Sequence, residues 1–460
     1  MTDTQNLWEA RVTVVGLGIE GIDLVHFLAA EGARVTVSDA HPADQLTEQI
    51  AAIADCDVRL SLGANRVEDI AEADAIFVSQ GVPADLPGLR AAEAKGVSIS
   101  SMLELFLDRC PAPVAGITGS AGKTTTTALI GAMLEAASAP HVVGGNIGIG
   151  LLSLLPEITA DTKVIVEMSH TQLARVAHSP EIACVTNVTP NHLDRFSWEE
   201  YVDLKRRIFR FQRPEDRAVF NYDDEVSRSF MDEAPGHVYA TSRRQRIPGG
   251  GAMVEGDRIV LVADGATTAV MRRDEIALRG DHNVENVLSA IAVAALLGVS
   301  ADASARAVRG FTGVAHRLEP VGTNDGVQYI NDSIATAPER TLAGMRAFSE
   351  PLVLLLGGRD KNLPTRVLGE EVVRRCRAVI TFGEASDLYA AAIRDTAGSD
   401  RVTLRQVADV PAAVRAAAEL ARPGDVVLFS PAGTSFDAYR NFEARGRAFR
   451  DTVRALKGER

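Results

Sequence analysis

The chain has 460 residues, a length that allows about three domains of ~150 residues each. Of these residues 46% are hydrophobic, which is enough to form several cores. Its net charge of −13 argues against a surface that binds nucleic acid or an anionic membrane. The four cysteines are scattered without a C-x-x-C pair, which predicts a reducing compartment and no zinc site. A polar, acidic N-terminus and the lack of an apolar run of ~18 residues predict a cytoplasmic protein without a signal peptide or membrane insertion.

The first elements form a β-α-β pattern. Residues 12–15 and 35–39 predict strands on either side of a helical segment that ends near residue 30. The sequence G-x-G-x-x-G lies at 16–21, and Asp39 ends the second strand. This arrangement is typical of a dinucleotide site, although the glycines can equally serve packing alone. The helix start suits any diphosphate, and Asp39 suits any hydroxyl-rich ring.

Further strands are predicted at 75–79 and 97–100. A short proline-rich stretch at 111–113 then resists helix formation and is typical of a linker. We therefore expect the first domain to occupy residues 1–112.

A phosphate-binding loop follows at 118–125, with the sequence T-G-S-A-G-K-T-T. It lies between an apolar strand at 114–117 and a helix from about 123 to 137, which is the context such a loop requires. Lys123 would contact the β/γ-phosphates of a nucleotide, and the hydroxyl of Thr124 would bind Mg²⁺. The general pattern G-x-x-x-x-G-K-[ST] expects glycine at 117, where this chain has Ile117.

The same predicted domain, residues 113–311, continues with alternating strands and helices. A glycine-rich turn is predicted at 142–148, strands at 164–166 and 182–188, and a helix at 198–212 that carries Lys205. Because the carboxyl ends of parallel strands meet at one edge of a sheet, we expect Glu167 and His192 to lie beside the phosphate loop. A strand-rich excursion at about 215–280 precedes a long helix, near whose start lies Asn283.

The third predicted domain, residues 312–460, is again α/β. Strands are predicted at 328–330, 352–356, 379–382 and 426–429. Polar side chains follow these strands, namely Asp332, Thr336, Lys361 and Ser435. Taken singly, each of them fits a turn or a helix cap equally well.

Together the motifs resemble the Mur ligases, which build the peptide stem of bacterial peptidoglycan, over essentially the whole chain. The motifs that carry this resemblance are T-G-S-A-G-K-T at 118–124, G-G-N-I-G at 144–148, N-x-x-x-N-H-L-D-R at 187–195, Y-x-x-x-K at 201–205, G-x-H-N-x-x-N at 280–286, H-R-L-E at 316–319, N-D-S at 331–333 and S-P-A from 430. The resemblance implies three α/β domains: a Rossmann-like N-terminal domain, a central P-loop ATPase-like domain with a mostly parallel sheet, and a Rossmann-like C-terminal domain.

The most similar members of the family add D-glutamate to UDP-N-acetylmuramoyl-L-alanine. The resemblance implies that the substrate carboxylate attacks the γ-phosphate of ATP, and that the amine of glutamate then attacks the acyl phosphate. It also implies two Mg²⁺ ions and a carbamylated lysine at Lys205, as well as a monomer that acts on small molecules. The catalytic residues would be Lys123, Glu167, His192 and Lys205, and the metal ligands Thr124, Glu167, His192 and the Lys205 carbamate.

The binding residues implied by the resemblance fall into three groups. ATP would be bound by Gly119, Ser120, Ala121, Gly122, Lys123, Thr124, Thr125, Asn283, His316, Arg317 and Asp332. The UDP-sugar would contact Gly18, Ile19, Glu20, Asp39, Asn146 and His192. The incoming amino acid would contact Thr336, Lys361, Ser435, Phe436 and Phe442.

Three positions depart from the family pattern. The usual E-x-S-S-F-Q has His170-Thr171 at its fourth and fifth positions, the usual D-S-K ends in Ile334, and Glu20 replaces a small hydroxyl residue. The first two departures leave open an L-glutamate-adding variant, and the third leaves the exact UDP contacts open. Parts of the pattern also fit a folylpolyglutamate-synthase-like ligase, an NAD-dependent dehydrogenase that uses 16–21, or a nucleotide-gated sensor.

Overall fold

The computed structural model describes residues 7–146, 150–191, 193, 195–263, 265–278, 280–361 and 363–456. Within these ranges the strands form three separate sheets. The described residues up to Ala277, together with Asp281–Phe311, form one compact unit that contains the first two sheets. The described residues from Thr312 onward, together with Leu278 and Gly280, form a second unit that contains the third sheet.

The first sheet is wholly parallel, with the strand order β3-β2-β1-β4-β5 that is typical of a Rossmann-like domain. Its strands are β1 (Arg11–Val15), β2 (Arg34–Asp39), β3 (Val58–Leu62), β4 (Ala75–Val78) and β5 (Ser98–Ser100). Its helices are α1 (Ile19–Ala30), α2 (Thr47–Ala52), α3 (Val67–Ala71), α4 (Pro87–Ala94) and α5 (Met102–Arg109). The central strands β1 and β4 are almost fully buried because helices cover both faces.

The second sheet has nine strands in the order β14-β13-β12-β11-β10-β9-β6-β8-β7, and the antiparallel pairs of this sheet join its last three strands along the chain. The strands are β6 (Val114–Thr118), β7 (His141–Gly145), β8 (Lys163–Glu167), β9 (Ile182–Val185), β10 (Arg217–Asn221), β11 (His237–Ser242), β12 (Gly251–Glu255), β13 (Arg258–Ala263) and β14 (Ala266–Arg272). The helices are α6 (Lys123–Ala136), α7 (His170–Leu173), α8 (Trp198–Arg210), α9 (Glu225–Ser229), α10 (Asp281–Leu296) and α11 (Ala301–Gly310).

The first two sheets are joined through helix α1. The buried carboxylate of Asp23 accepts hydrogen bonds from the backbone N–H groups of Leu152 (2.8 Å) and Ser153 (3.0 Å) in the segment between β7 and β8. Apolar side chains from both sheets form one continuous core around this contact. The joint orients α1, and therefore the glycine loop at its start, relative to the central sheet.

The third sheet has the order β15-β16-β20-β17-β18-β19, in which β15 is antiparallel to its neighbour and the other pairs are parallel. The strands are β15 (Glu319–Asn324), β16 (Val327–Asn331), β17 (Leu352–Gly357), β18 (Cys376–Phe382), β19 (Thr403–Gln406) and β20 (Val426–Ala432). The helices are α12 (Pro338–Arg346), α13 (Arg366–Arg375), α14 (Ser386–Arg394), α15 (Val410–Leu420) and α16 (Phe442–Ala455). Separate apolar cores lie on the two faces of this sheet.

The predicted fold class, three α/β domains with mostly parallel sheets, is confirmed. The glycine-rich turn predicted at 142–148 is wrong for residues 142–145, because His141–Gly145 pairs with β8 as a parallel strand. Gly145 is needed there, since its φ angle is 98° and a Cβ would lie 2.3 Å from the backbone oxygen of Glu167. The domain boundaries after residues 112 and 311 stay a prediction. In the part of the chain that the structure describes, no helix is both long enough and apolar enough to cross a membrane.

Candidate active site

The phosphate loop connects β6 to α6 with a backbone that only glycine fits at two positions. Gly119 and Gly122 have φ angles of 153° and 84°. A Cβ would lie 2.0 Å from the hydroxyl of Thr186 at the first position and 2.2 Å from the amide of Asn286 at the second. Ile117, which departs from the general pattern, is a fully buried residue near the end of strand β6, where its apolar side chain packs in the core.

The loop is held by Asn187, which lies two residues after strand β9 and begins the N-x-x-x-N-H-L-D-R motif, although the motif alone gave it no role. The backbone carbonyl of Asn187 accepts from Ser120 N, and its side-chain oxygen accepts from Ala121 N, both at 2.9 Å. Its amide also donates to the carbonyl of Ala121 (3.1 Å), as does the hydroxyl of Thr186 (2.6 Å). These contacts fix two amides of the loop, so the N–H groups at the start of α6 remain as the anion-binding end of the helix.

Lys123 and Thr124 are the first two residues of α6 and are half-buried. The ammonium group of Lys123 folds back onto the loop and donates to the carbonyls of Gly119 (2.9 Å) and Ser120 (3.4 Å). Thr125 follows in the same first turn. The predicted phosphate-contacting residues are therefore adjacent at a helix N-terminus, where partial positive charge favours a bound anion.

Lys205 points from α8 into the same place and is buried, with 1% of its surface exposed. Its amine donates to the hydroxyl of Thr118 and to the carbonyl of Gly119, both at 3.1 Å. Burial lowers the pKa of Lys205 well below its usual value, and the nearby Lys123 lowers it further, while Glu167 acts in the opposite direction. The amine is therefore biased towards its neutral, nucleophilic form.

Glu167 ends β8 and lies beside the loop because β8 pairs in register with β6, where Glu167 is opposite Ile117. One carboxylate oxygen accepts from the amide of Asn146 (3.1 Å), and the other is buried without a hydrogen-bond partner among the described residues. An unpartnered buried carboxylate oxygen is costly unless a cation or another donor meets it. Its place suits a metal ion. His192, predicted to act with Glu167, lies outside the described residues.

The N-terminal glycine loop is hydrogen-bonded to Asp39, the last residue of β2. One oxygen of this buried carboxylate accepts from Leu17 N (2.7 Å), and the other accepts from the N–H of His41 and lies 2.8 Å from its ring nitrogen Nδ1. Burial alone would raise the pKa of Asp39, but these hydrogen bonds outweigh it and lower the pKa. Gly18 and Ile19 stay exposed above the loop, so the predicted site for a diphosphate remains open.

Glu20 does not face that open side. Its carboxylate accepts three hydrogen bonds: from the backbone N–H of Gln80 (2.9 Å), from the side-chain amide of Gln80 (2.8 Å) and from the amide of Gln172 (2.8 Å). Gln172 in turn forms a capping box with Ser169, two residues after Glu167. Glu20 therefore links the first glycine loop to the end of β8, and its negative charge is met by donors.

The other unusual pair beside Glu167 also has structural partners. Thr171 donates its hydroxyl hydrogen to the side-chain oxygen of Gln80 (2.9 Å). The ring of His170 packs edge-on against Phe196, with ring centroids 5.5 Å apart, and lies tilted against Tyr201 at 5.6 Å. Both side chains are thus used within the first compact unit.

Asn283 lies in the first turn of α10, where its side-chain oxygen accepts from the amide of Asn286 (3.0 Å). Since Asn286 sits against Gly122, this helix borders the phosphate loop. The predicted nucleotide contact of Asn283 is consistent with its place.

In the second compact unit, His316 occupies a loop with a positive φ angle of 65° and is 6% exposed. Its backbone N–H donates to the carboxylate of Glu319 (2.7 Å). Its ring nitrogen Nδ1 accepts from the side-chain amide of Asn331 (2.9 Å), and its ring lies edge-on to Phe442. Accepting at Nδ1 leaves the hydrogen on Nε2. Burial lowers the pKa of His316, which keeps the ring neutral near pH 7.

Asp332 follows β16 and is buried beside the same loop. Its two oxygens accept from Leu318 N (3.2 Å) and from the hydroxyl of Ser430 (2.8 Å). Burial raises the pKa of Asp332 to about 7, although both hydrogen bonds and the charge of Arg317 act against the shift. A carboxyl group of this kind changes its charge state within the working range of pH.

Arg445 on α16, which the sequence analysis did not single out, joins two of the motifs. It is fully buried and donates to the hydroxyl (3.1 Å) and carbonyl (2.8 Å) of Ser333 and to the carbonyl of Gly433 (2.9 Å). Burial lowers the pKa of Arg445 to about 10. The N-D-S and S-P-A-G segments are therefore fixed to each other through one guanidinium group.

The residues predicted to bind the amino acid differ in exposure. Lys361 donates to the hydroxyl of Thr336 (3.2 Å), which brings these two predicted residues together. Ser435 is buried and Phe436 is 62% exposed. An exposed aromatic ring such as that of Phe436 is available to contact a ligand.

Three family models match the chain. They describe a Mur ligase MurD-like N-terminal domain over residues 10–101, a Mur ligase middle domain over 117–294 and a Mur ligase, glutamate ligase domain over 316–433. The resemblance inferred from the motifs is confirmed by these matches.

Relatives of known name match nearly the whole length. The chain is 45% identical over 451 residues to the UDP-N-acetylmuramoylalanine--D-glutamate ligase of Symbiobacterium thermophilum, which covers 97% of this chain and 98% of that one. It is 38% identical over 454 residues to the ligase of the same name from Acetivibrio thermocellus, which covers 97% of each. The solved structure of MurC from Thermotoga maritima is similar in fold, with a TM-score of 0.57 at 18% identity over 98% of this chain and 100% of that one.

Replacing Glu20 should weaken the first compact unit. Glu20→Ala removes the acceptor of three hydrogen bonds, so we expect a fall of about 1–3 kcal/mol in the free energy of unfolding. Both tryptophans, Trp8 and Trp198, belong to this unit, so urea denaturation followed by tryptophan fluorescence measures it. Glu20→Gln keeps the shape of the side chain and one acceptor oxygen, so its free energy of unfolding should lie between those of Glu20→Ala and the unaltered protein. An unchanged midpoint for Glu20→Ala would contradict the link.

The buried Asp332 should make the second unit less stable as the pH rises. The native carboxyl group holds its proton up to about pH 7, whereas the unfolded chain releases it near 3.8, so its contribution to stability falls between these values. Asp332→Asn cannot ionise. Its advantage over the unaltered protein should grow by up to roughly 1.4 kcal/mol per pH unit across this range.

This pH dependence can be measured by amide hydrogen exchange of peptides from β16 and β20, corrected for intrinsic exchange rates. Peptides from β6 in the other unit serve as the control. A difference between the two proteins that stays constant from pH 4 to 8 would show that Asp332 does not titrate as inferred.

Proposed function

Since the chain belongs to the Mur ligase family, we propose that it is an ATP-dependent ligase that adds D-glutamate to UDP-N-acetylmuramoyl-L-alanine in peptidoglycan precursor synthesis. The observation that carries this proposal is the meeting of Lys123, Lys205 and Glu167 at the carboxyl edge of the central sheet. Two lysines and a carboxylate beside a phosphate loop suit the transfer of a phosphoryl group to an acid.

Phosphoryl transfer needs alignment and neutralisation of charge more than covalent help from the protein. The substrate carboxylate oxygen attacks the γ-phosphorus, the bond to the bridging oxygen breaks, and ADP leaves. The neutral amine of glutamate then attacks the acyl carbon, inorganic phosphate leaves with the electron pair of the C–O bond, and the nitrogen releases one proton to solvent. Lys123, released from the loop carbonyls, would neutralise the β/γ-phosphates, while the N–H groups at the start of α6 hold them.

The residues present fit a hard divalent cation such as Mg²⁺. The orphaned oxygen of Glu167 and the hydroxyl of Thr124 are oxygen donors, which this ion prefers. We propose that they hold Mg²⁺ together with His192, and that a bound Mg²⁺ supplies additional neutralisation of the phosphate charge. The number of ions in this proposal is two, as in the family pattern.

We further propose that Lys205 is carbamylated. The neutral form of an amine is the one that adds to CO₂, and burial together with Lys123 favours that form. The product is a carboxylate-like group, which would replace an uncompensated buried amine by an anion next to Lys123 and the proposed Mg²⁺. The modification would thus resolve the electrostatic conflict that the unmodified lysine creates.

The N-terminal glycine loop is our proposed site for the UDP-sugar. Gly18 and Ile19 would contact the diphosphate, and Asp39 would position the loop beneath it. Glu20, whose carboxylate is engaged by Gln80 and Gln172, would act through its backbone and its link to the central sheet. Asn146 would contact the same substrate.

We propose that the amino acid binds to the second unit through Thr336, Lys361, Ser435, Phe436 and Phe442. Ile334 stands where the family pattern has a lysine, but Arg340 donates to the Ile334 carbonyl (3.4 Å) and its charge lowers the pKa of Lys361 in addition to burial, which lowers it most. Arg340 would therefore replace the missing cation near the pocket. Two cations suit a substrate with two carboxylates.

In the same proposal, ATP is further bound by Asn283, His316, Arg317 and Asp332. The neutral Nε2–H of His316 can donate to a base, and Asp332 can accept from a ribose hydroxyl. The domains would be 1–112 for the UDP-sugar, 113–311 for ATP and 312–460 for the amino acid. The enzyme would act as a monomer in the cytoplasm, where its ATP is supplied.

Measurement of phosphate release tests this function. Release should require both UDP-N-acetylmuramoyl-L-alanine and D-glutamate, and L-glutamate should not replace D-glutamate. Lys123→Ala should abolish release because the β/γ-phosphate contact is lost. If L-glutamate but not D-glutamate supports release in the presence of the UDP-sugar, the protein is the L-glutamate-adding variant. Release with a folate in place of the UDP-sugar would assign the folylpolyglutamate-synthase-like class. Release without either substrate would refute the proposal.

Lys205→Ala should lose nearly all turnover, and a short carboxylic acid such as acetate should restore part of it by occupying the space of the carbamate. Lys205→Met is the matched control, because it fills the cavity without a carboxylate and should not be rescued. Retained activity in Lys205→Ala, or equal rescue of both variants, would contradict the carbamate proposal.

A further inference from the structure

A cluster of three potential metal ligands lies between helix α1 and the turn before strand β3, outside the site described above. His26 belongs to α1, while Asp55 and Cys56 lie in the turn between α2 and β3. The ligand atoms His26 Nδ1, Asp55 Oδ1 and Cys56 Sγ all lie within 4.8 Å of one another. The side chains of His26 and Asp55 are exposed and Cys56 is half-buried, so an ion can reach them from solvent.

The imidazole of His26 is held in the orientation that a metal ligand needs. Its Nε2 lies 2.9 Å from the carbonyl oxygen of Ala52, which can only accept a hydrogen bond. Nε2 therefore carries the hydrogen, and the lone pair is on Nδ1, which faces the cluster. A histidine whose second nitrogen donates to a backbone carbonyl is the usual arrangement around bound zinc.

The distances between the three ligand atoms match a tetrahedral zinc site. Zn–S, Zn–N and Zn–O bonds of ordinary length at tetrahedral angles separate the ligand atoms by about 3.4–3.6 Å. The observed separations are 3.4 Å from Nδ1 to Sγ, 3.8 Å from Sγ to Oδ1 and 4.0 Å from Nδ1 to Oδ1. Contraction by up to about 0.6 Å, the most being needed between Nδ1 and Oδ1, would complete three corners of the tetrahedron.

The chemistry of the donors favours the same kind of ion. A thiolate and an imidazole are softer ligands than Mg²⁺ takes, and with one carboxylate they suit Zn²⁺ or Co²⁺. The thiolate and the carboxylate together also balance the charge of a divalent cation.

We propose that His26, Asp55 and Cys56 form a Zn²⁺-binding site with a fourth position open to water. The ion would join α1 to the turn that follows α2. Because α1 begins at the first glycine loop, a bound ion would stiffen the helix that presents this loop. The expectation from the sequence that the chain has no zinc site missed this cluster, because its ligands are brought together by the fold and not by a short motif.

The full-length protein tests this proposal directly. Excess Mg²⁺ is added first to occupy oxygen-rich sites. The protein is then titrated with Co²⁺ while the thiolate-to-cobalt absorption band is recorded. Competition with a chelator gives the affinity for Zn²⁺. We expect one equivalent to bind with a thiolate band. Cys56→Ser should lose the band, and His26→Gln should weaken Zn²⁺ binding at least tenfold. Cys110→Ser, at the other half-buried cysteine, should bind as the unaltered protein does.

A second measurement does not depend on any variant. Zn²⁺ should protect Cys56 from alkylation, as read by mass spectrometry of its peptide, and should leave the labelling of Cys110 unchanged. Binding that survives Cys56→Ser, the absence of a thiolate band, or equal labelling of Cys56 with and without Zn²⁺ would overturn the proposal.

Discussion

The parallel register of β6 with its two neighbours is the constraint on which the candidate active site depends. Ile117 lies opposite both Glu167 on β8 and Cys184 on β9, so the three strands end together. The phosphate loop therefore begins between the carboxylate of Glu167 on one side and, on the other, Asn187, whose side chain hydrogen-bonds to the backbone of Ala121. A shift of one residue in either pairing would move Glu167 or Asn187 by roughly 3 Å and turn its side chain to the opposite face.

This edge of the sheet concentrates groups that are unfavourable in isolation. Within the described part of the chain, Lys205 is buried without a carboxylate in hydrogen-bonding contact, and Glu167 keeps one buried oxygen without a donor. Burial of polar groups in this manner costs free energy that well-paired groups would avoid. The arrangement is understandable when ligands are included, because phosphates, a divalent cation and a carbamate would each meet one of these groups. The same instability that weakens the free protein would thus favour the liganded one.

Much of the fold could be predicted because buried parallel strands are continuous apolar runs, as at Leu352–Gly357. Short edge strands such as Val58–Leu62 and Thr403–Gln406 carry polar residues and lack such a signal. The phosphate loop was predictable because its glycines and lysine are neighbours in sequence. The roles of Asn187 and Arg445 were not, since their partners are 66 and up to 112 residues away and a lone polar residue has no periodicity.

The residues that depart from the family pattern form hydrogen bonds with other side chains or stand near a compensating charge. Glu20 would place a negative charge beside a diphosphate, yet its carboxylate is occupied by Gln80 and Gln172, and Thr171 donates to the side-chain oxygen of Gln80. Thr171 and Glu20 thus belong to one network across the first two sheets, in which the side-chain oxygen of Gln80 also accepts from the hydroxyl of Ser169 (3.2 Å). A replacement that disturbs the amino-acid pocket would be expected in the second unit instead. There Ile334 removes one cation and Arg340, six residues later, places another next to the same backbone. Under the proposed assignment of the amino-acid pocket, Arg340 would supply the cation that Ile334 does not, so a substrate with two carboxylates would still meet two cations.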